Sequence, residues 1–286
     1  METTARTNIV LILGASGFIG NTIYKELTSY FDVYGTYCTP NDFYKSNQVF
    51  YRYCVEEDTI ETILEEIRPS FIISCIHGDF AAQFQLYKTL SKYIQQHHYS
   101  NLLYVSSASV FSARHHLPSY ENDKPVSESV EGKFKASVEK ILLTEIPAQT
   151  AVLRLPMVLG IHSPRIIQFR EAIKHQAAFE VYPNVIISVT TAQKIAQQIH
   201  YILNKRLSGI FHLASSDMTH HEDLFREIAS TMNTKMPIFK SVFTSNDDRY
   251  AAILSKINPL PDPYTITVSE VIEDSTLPEE ITTFRN

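Results

Sequence analysis

Three stretches of the chain hold residue types that can do chemistry. The first is Asn8 to Gly20, NIVLILGASGFIG, where an apolar run from Ile9 to Leu13 breaks into glycines at Gly14, Gly17 and Gly20. The whole chain has 8 glycines, and three of them fall here at a spacing of three. A first glycine permits a tight turn, a second lets backbone approach a pyrophosphate, and a third lets the following helix pack close to its strand. A helix expected over Phe18 to Leu27 then aims its unpaired N–H groups and positive dipole end at that phosphate. The group expected around it is Gly14, Ser16, Gly17, Phe18, Ile19 and Gly20, a dinucleotide site in outline. The second stretch is Tyr104 to Phe111, YVSSASVF, which puts the hydroxyls of Ser106 and Ser107 at the exit of an apolar strand. The third is the helical segment Ser129 to Leu143, which carries Glu131, Lys135 and Glu139 at successive turns. Glu131 and Lys135 lie at i and i+4 in the order that favours an ordinary helical ion pair of ~0.2–0.5 kcal/mol. Between the second and third stretches, the loop Pro118 to Pro125 (PSYENDKP) holds Tyr120 and Lys124.

The elements that must position these residues alternate between strand and helix. Strands are expected at Asp32 to Tyr37, Asn47 to Tyr53, Phe71 to Ile76 and Leu102 to Val105. Helices are expected at Glu57 to Arg68, stopped by Pro69, and at Ala81 to His97, each with apolar residues at helical spacing. Alternation with nearly continuous apolar strands implies an α/β fold with a parallel, doubly wound sheet and a ligand at the carboxyl ends of its strands. Beyond Gly160, short strands (Val185 to Val189, Ile210 to Leu213) alternate with helices at Thr191 to Leu203 and His220 to Met232. Thr219 and Glu222 read as a capping box for the last of these. The tail, Ile272 to Asn286, is polar and expected to be mobile.

The bulk numbers exclude several classes. With 25 Lys and Arg against 31 Asp and Glu, the net charge is -6, and no basic cluster offers a nucleic-acid surface. Cys38, Cys54 and Cys75 are odd in number, widely spaced and without a CxxC pair, so neither a disulfide framework nor a zinc site is expected. A reducing cytoplasm fits. The apolar start at Ile9 is far shorter than the ~18 residues of a membrane span and lacks the flanks of a leader. The pairs His97-His98, His115-His116 and His220-His221 read as solvated surface histidines rather than metal ligands, because adjacent residues face apart.

The glycine turn, SSASVF, YENDKP and EGKFKASVE together resemble the extended short-chain dehydrogenase/reductases, and most closely the dTDP-4-dehydrorhamnose reductase and NAD-dependent epimerase branch. AVLRLPMVLG (Ala151 to Gly160) and GIFHLASSDMTHHEDLFREIA (Gly209 to Ala229) resemble that branch too, so the similarity covers nearly the whole chain. The resemblance implies a Rossmann-like NAD(P)-binding domain over 1–159. It implies a smaller α/β substrate lobe over 160–286, with some segments returning to the sheet. The implied cofactor is NADP or NAD, with NADP favoured, and the implied reaction is hydride transfer to a keto group of a nucleotide-linked deoxysugar. Expected partners are that substrate and a second copy of the chain as a homodimer, with neither nucleic acid nor membrane.

In that family a Ser or Thr at the strand end orients the substrate carbonyl. A Tyr-x-x-x-Lys pair on the next helix supplies a proton and binds the nicotinamide ribose. Ser107 matches the first role, although a serine that closes a turn is its structural alternative. Lys135 matches the lysine and Glu139 the acidic residue after it, but Glu131 occupies the tyrosine position. A phenol near pKa ~10 suits proton donation to a developing alkoxide, whereas a carboxyl near ~4.3 needs strong desolvation to serve. Tyr120 and Lys124 offer a second Tyr-x-x-x-Lys, though Pro118 and Pro125 place it in a loop. Tyr37 stands where an acid would hold the ribose 2′-OH, Cys54 near where one meets adenine, and Lys194 where the family has an Asp. Arg154 and Arg165 are candidates for a diphosphate or for carboxylate pairing. A non-catalytic nucleotide-binding or regulatory/scaffold relative that has lost the Tyr of the Tyr-x-x-x-Lys pair is the alternative function. Such a role exists in this branch, which resembles the regulatory subunit of methionine adenosyltransferase.

Overall fold

The structure is a computed structural model that describes residues 8–39, 42–232, 236–243 and 245–277. The chain forms two compact units. One comprises the residues up to 106 with 133–154 and 196–211; the other comprises 107–132, 155–195 and the residues from 212 onward.

In chain order the first elements are β1 (Ile9–Leu13), α1 (Phe18–Leu27), β2 (Asp32–Tyr37), α2 (Asp42–Lys45), β3 (Phe50–Arg52) and α3 (Glu61–Ile67). They continue with β4 (Phe71–Ser74), α4 (Phe80–Gln96), β5 (Asn101–Ser107), α5 (Val130–Glu145) and β6 (Thr150–Leu155). After β7 (Met157–Leu159), α6 (Pro164–His175), β8 (Ala178–Val181), β9 (Val185–Ile187) and β10 (Val189–Thr191), the helix α7 (Ala192–Lys205) leads to β11 (Gly209–His212). The first unit is built on a seven-stranded sheet in the order β11-β6-β5-β4-β1-β2-β3. The pairs of β1 with β2 and β4, of β2 with β3 and of β4 with β5 are parallel. This is the doubly wound parallel sheet expected from the alternation, in a Rossmann-like order. Ile9, Leu11 and Leu13 of β1 join a core with Leu64 of α3, Leu90 of α4 and Val138 of α5. Val10 and Ile12, which point to the opposite face, are equally buried. Burial on both faces explains why the strand reads as continuous apolar sequence rather than as alternation.

Several expected boundaries move for identifiable reasons. The helix expected from Glu57 starts at Glu61, because Cys54 to Asp58 closes a turn in which the N–H groups of Glu57 and Asp58 donate to the Cys54 carbonyl. The apolar run Val185 to Val189 is not one strand. It divides at Ser188 into β9, in a sheet with β12 (Thr219–His220) and β14 (Arg249–Tyr250), and β10, which pairs with β7. Helix α8 (His221–Thr231) is preceded by His220 without a side-chain cap, and Glu222 pairs with Arg226 instead of closing a box with Thr219. A capping box does form at Thr267 and Glu270, opening α9 (Val268–Thr276). That helix buries Val271 and Ile272, so the expected mobile tail is ordered helix up to Thr276, and its remainder, 278–286, lies outside the described residues. β8 pairs with β13 (Ile238–Ser241), and the second unit's core gathers Phe169, Phe179, Phe225 and Val271.

The thiol and histidine expectations also change. Cys38 and Cys54 are joined in a disulfide, contrary to the absence of bridges read from their spacing. Parallel pairing of β2 with β3 brings the two Cα atoms to 4.8 Å, which sixteen residues of separation do not reveal. The bond removes the thiol argument for a reducing compartment. No described helix is long and apolar enough to cross a membrane. Among the described residues no cluster of His, Cys, Asp or Glu could hold a metal. His221 nonetheless is not a solvated histidine: burial, with the nearby Arg165 charge, depresses its imidazole to about 4.

Arg154, a candidate for a diphosphate, is buried in the first unit. Its guanidinium donates to both oxygens of Glu139, through Nε at 3.1 Å and Nη2 at 2.7 Å. Removing one partner leaves an uncompensated buried charge, so Arg154→Met is expected to destabilise by ~3–5 kcal/mol, with much of the loss recovered in Glu139→Leu/Arg154→Met. Urea unfolding of the three proteins checks this, and a single variant as stable as wild type contradicts it. The glycine turn gives a second expectation. A Cβ on Gly20 would meet the Gly14 carbonyl oxygen at 2.2 Å, whereas one on Gly17 meets that oxygen only at 3.4 Å. Gly20→Ala therefore costs ~1–3 kcal/mol through overpacking, with Gly17→Ala much closer to neutral. Equal thermal midpoints for the two variants would overturn that reading.

Candidate active site

The glycine turn is held from three sides. Gly14 adopts φ 81, its N–H donates to Thr36 Oγ1 at 2.9 Å, and a Cβ there would meet the Cys75 carbonyl oxygen at 2.9 Å. These contacts require glycine at Gly14 and Gly20 for the fold. Gly17 is different: it is exposed, precedes α1 and provides no side-chain cap, and the first turn of α1 contains no acidic residue. Its own N–H donates to the Gly14 carbonyl at 3.1 Å, so it is the N–H groups that follow it, in the first turn of α1, that stand open to an anion. Ser16 is also exposed, and Phe18 and Ile19 are partly so.

Around this turn the positions where the resemblance implies ribose and base contacts, Tyr37 and Cys54, are engaged in structural contacts. Tyr37 is buried and stacks on Tyr44 with centroids 5.5 Å apart. Cys54 is in the disulfide, and its N–H donates to Asp58 at 2.8 Å. In the second unit, Lys194 reaches the Pro263 carbonyl at 3.3 Å.

The end of β5 and helix α5 bring the remaining candidates into order. Lys135 donates its ammonium to the Val105 carbonyl at 2.9 Å and lies over the Tyr104 ring, 5.2 Å from the centroid. One turn later, Glu139 accepts from the Ser106 hydroxyl at 2.5 Å as well as from Arg154. Thus the hydroxyl of Ser106 is spent on the α5 carboxylate. That of Ser107 accepts from the Ser109 N–H at 3.1 Å, capping the short 3-10 turn Ala108–Phe111. Accepting leaves the Ser107 hydrogen to be donated elsewhere. Glu131 sits exposed in the first turn of α5. Gly132 went unremarked in the sequence. A Cβ there would lie 2.1 Å from the Ser109 carbonyl oxygen, so the start of α5 abuts the turn after Ser107 only because this residue has no side chain.

Tyr120 and Lys124 lie in a loop, as their flanking prolines indicate, and share no helical face. The Tyr120 N–H donates to Asp123 at 2.8 Å. Beside it, Glu121 is buried and clamps the chain at 255–257, accepting from the Ser255 hydroxyl at 2.8 Å and from the N–H groups of Lys256 and Ile257. Burial pushes its carboxyl up, but the backbone and hydroxyl donors outweigh burial and hold it below the usual range.

The second unit contains a cavity of about 360 Å³, with Ser109, Arg114, His115, Tyr182, Arg249 and Tyr250 in its wall. Arg249 donates to the His115 ring, and desolvation together with that guanidinium lowers the His115 pKa. Arg114 pairs with Asp123 at 3.2 Å. Neither His115 nor Arg249 was legible as a site residue: the histidine pair looked like solvated surface, and 134 residues separate the two. Arg165, by contrast, lies over the Phe179 ring at 4.3 Å and donates to Gln168 and the Glu180 carbonyl.

Comparison with known proteins places this geometry in a family. Residues 8–253 match the RmlD substrate binding domain. The chain is 27% identical over 254 residues to methionine adenosyltransferase 2 subunit beta of Danio rerio, covering 78% of this chain and 74% of that one. Its fold is similar to that of Thermus thermophilus UDP-glucose 4-epimerase in complex with NAD (TM-score 0.77, 15% identity, 94% of this chain and 97% of that one). It is also similar to that of Bacillus anthracis dTDP-4-dehydrorhamnose reductase in complex with NADP (TM-score 0.74, 17% identity, the same coverage). At these identities the two structures speak for the fold alone. The match over most of the chain, joined to the glycine turn, the β5 serine and the α5 lysine, shows that the protein belongs to the RmlD substrate-binding-domain family of the extended short-chain dehydrogenase/reductases.

Proposed function

We propose that the protein is an NAD(P)-dependent reductase-like protein acting on a nucleotide-linked keto-deoxysugar. The observation that carries this reading is the presence of three separate parts of one chemistry: a glycine turn exposed at Gly17 where α1 begins, a Ser107 hydroxyl with its hydrogen to donate, and Lys135 fixed on α5. The α1 N-terminus that follows the exposed Gly17 fits a pyrophosphate, and Lys135 is the residue to hold ribose hydroxyls. When bound, the dinucleotide supplies hydride. Ser107 donates to the substrate carbonyl oxygen and stabilises the negative charge that develops there. With Glu131 exposed and Tyr120 in a loop, the proton that completes the alcohol comes from water. The cavity of the second unit, with Arg249 and Arg114 in its wall, suits the anionic part of such a substrate.

A second reading is favoured by the Glu131 exposure and by the similarity to a methionine adenosyltransferase subunit: a nucleotide-binding regulatory relative without turnover. A positioned acid contributes typically ~10²–10⁴-fold, so its loss fits a protein selected for binding rather than rate.

Titration with NADPH and NADH, followed by nicotinamide fluorescence, separates the readings together with a turnover assay on dTDP-4-keto-deoxysugars. We expect binding of at least one cofactor and a loss of about tenfold or more in Lys135→Ala, the size of a charged hydrogen bond. Binding of neither cofactor overturns the reductase and leaves a regulatory or scaffold relative. Turnover abolished by Ser107→Ala supports the reductase; tight binding with no turnover supports the regulatory protein. If the cavity takes the substrate anion, Arg249→Ala raises KM more than it lowers kcat, and an unchanged KM removes Arg249 from the substrate contacts.

A further inference from the structure

We propose that Cys38–Cys54 is a reversible thiol–disulfide modification site that clasps the glycine turn, with a dithiol reductant as its reaction partner. The pair sits at the functional edge of the sheet. Cys38 follows β2 directly and Cys54 comes two residues after β3. Both therefore lie at the carboxyl edge, where β1 ends in Gly14. The last ladder bond before the bridge runs from the Tyr53 N–H to the Tyr37 carbonyl, at 2.8 Å. One residue further back, Thr36 accepts from the Gly14 N–H through Oγ1 at 2.9 Å. A Cβ on neighbouring Gly35 would meet the Ala15 side chain at 2.6 Å, so β2 and the turn touch with no slack. The bridge thus fixes the end of the strand that holds Gly14 in its φ 81 conformation. Its release frees the residues after Tyr37 and loosens Thr36 against the turn.

The bond is placed to react. Cys38 is exposed and Cys54 is buried, so an incoming thiolate reaches the Cys38 sulfur. Attack there forms a mixed disulfide and expels the Cys54 sulfur, which takes up a proton. The second thiol of the reductant then displaces Cys38, also as a thiol. Two electrons pass from the dithiol, which ends as a disulfide, to the protein bond. Cys75, the third cysteine, stays outside this exchange, since burial pushes its thiol up to about 12.

The effect on the turn stands on these contacts, whereas its consequence for dinucleotide affinity rests on the cofactor reading above. The test uses the full chain air-oxidised, the same protein after dithiothreitol, and C38S/C54S as the permanently open form. Thiol titration of denatured samples should find one free thiol before reduction and three after it. Hydrogen exchange resolved over residues 9–20 and 32–39 should accelerate at Gly14–Gly17 and Thr36–Cys38 in the reduced protein. It should be equally fast in C38S/C54S with or without reductant. NADPH or NADH affinity should fall by about fivefold or more on reduction, the lower range of typical coupling. Three free thiols in the oxidised protein, or exchange at the turn that is indifferent to reduction, would overturn the clasp whether or not a nucleotide binds. Redox-dependent exchange in a protein that binds neither cofactor supports the clasp and overturns the cofactor reading. Should C38S/C54S not fold, the oxidised and reduced wild-type proteins carry the comparison.

Discussion

The carboxylate of Glu139 is the interaction on which the organisation of the first unit turns. It is buried, can only accept, and receives hydrogen bonds from Ser106 on β5 and from two nitrogens of Arg154 on β6. One side chain of α5 is thereby tied to two neighbouring strands. Because a helix repeats every 3.6 residues, fixing Glu139 also fixes Lys135 one turn earlier on the same face. There the ammonium meets the Val105 carbonyl and the Tyr104 ring. The buried charge is costly unless its partners are complete, which makes the arrangement all or nothing.

The glycine turn shows a different constraint, steric rather than electrostatic. Gly14 and Gly20 are required because backbone occupies the space a Cβ would need, and Gly17 is not. Two of the three glycines are thus explained by the fold, and the third, Gly17, is not. At the far side of the turn, Tyr37 and Cys54 are committed to a ring stack and a disulfide. The turn at the N-terminus of α1 stays exposed while the side chains beside it at Tyr37 and Cys54 are spent on structure. Exposure of Glu131 belongs to the same pattern: the side chains that survive, Ser107 and Lys135, are those whose positions are also held by backbone contacts.

Within the second unit, polar groups distant in sequence converge. Glu121 gathers the backbone of Lys256 and Ile257, and His115 faces Arg249 in the cavity wall. The carboxylate stabilises N–H groups that the loop cannot pair within itself, which positions the segment following Arg249. His115 is partly desolvated beside the guanidinium, so it is held toward its neutral form and can accept from it.

What the sequence by itself determined is local or periodic. The apolar run ending in Gly14, the helical spacing of the residues in α3 to α5, and the prolines around Tyr120 follow from chain stereochemistry. They suffice for a parallel α/β fold with a doubly wound sheet. The placement of Ser107 at the end of a strand and of Lys135 on the following helix was legible too, since each belongs to a short motif. Tertiary structure decided the rest. Cys38 meets Cys54 because β2 and β3 lie side by side, Arg154 is buried because Glu139 faces it from another element, and His115 finds Arg249 across 134 residues. A sequence pattern records which face of an element is apolar. It does not record which neighbour that face will meet, and charges and thiols acquire their role only from that neighbour.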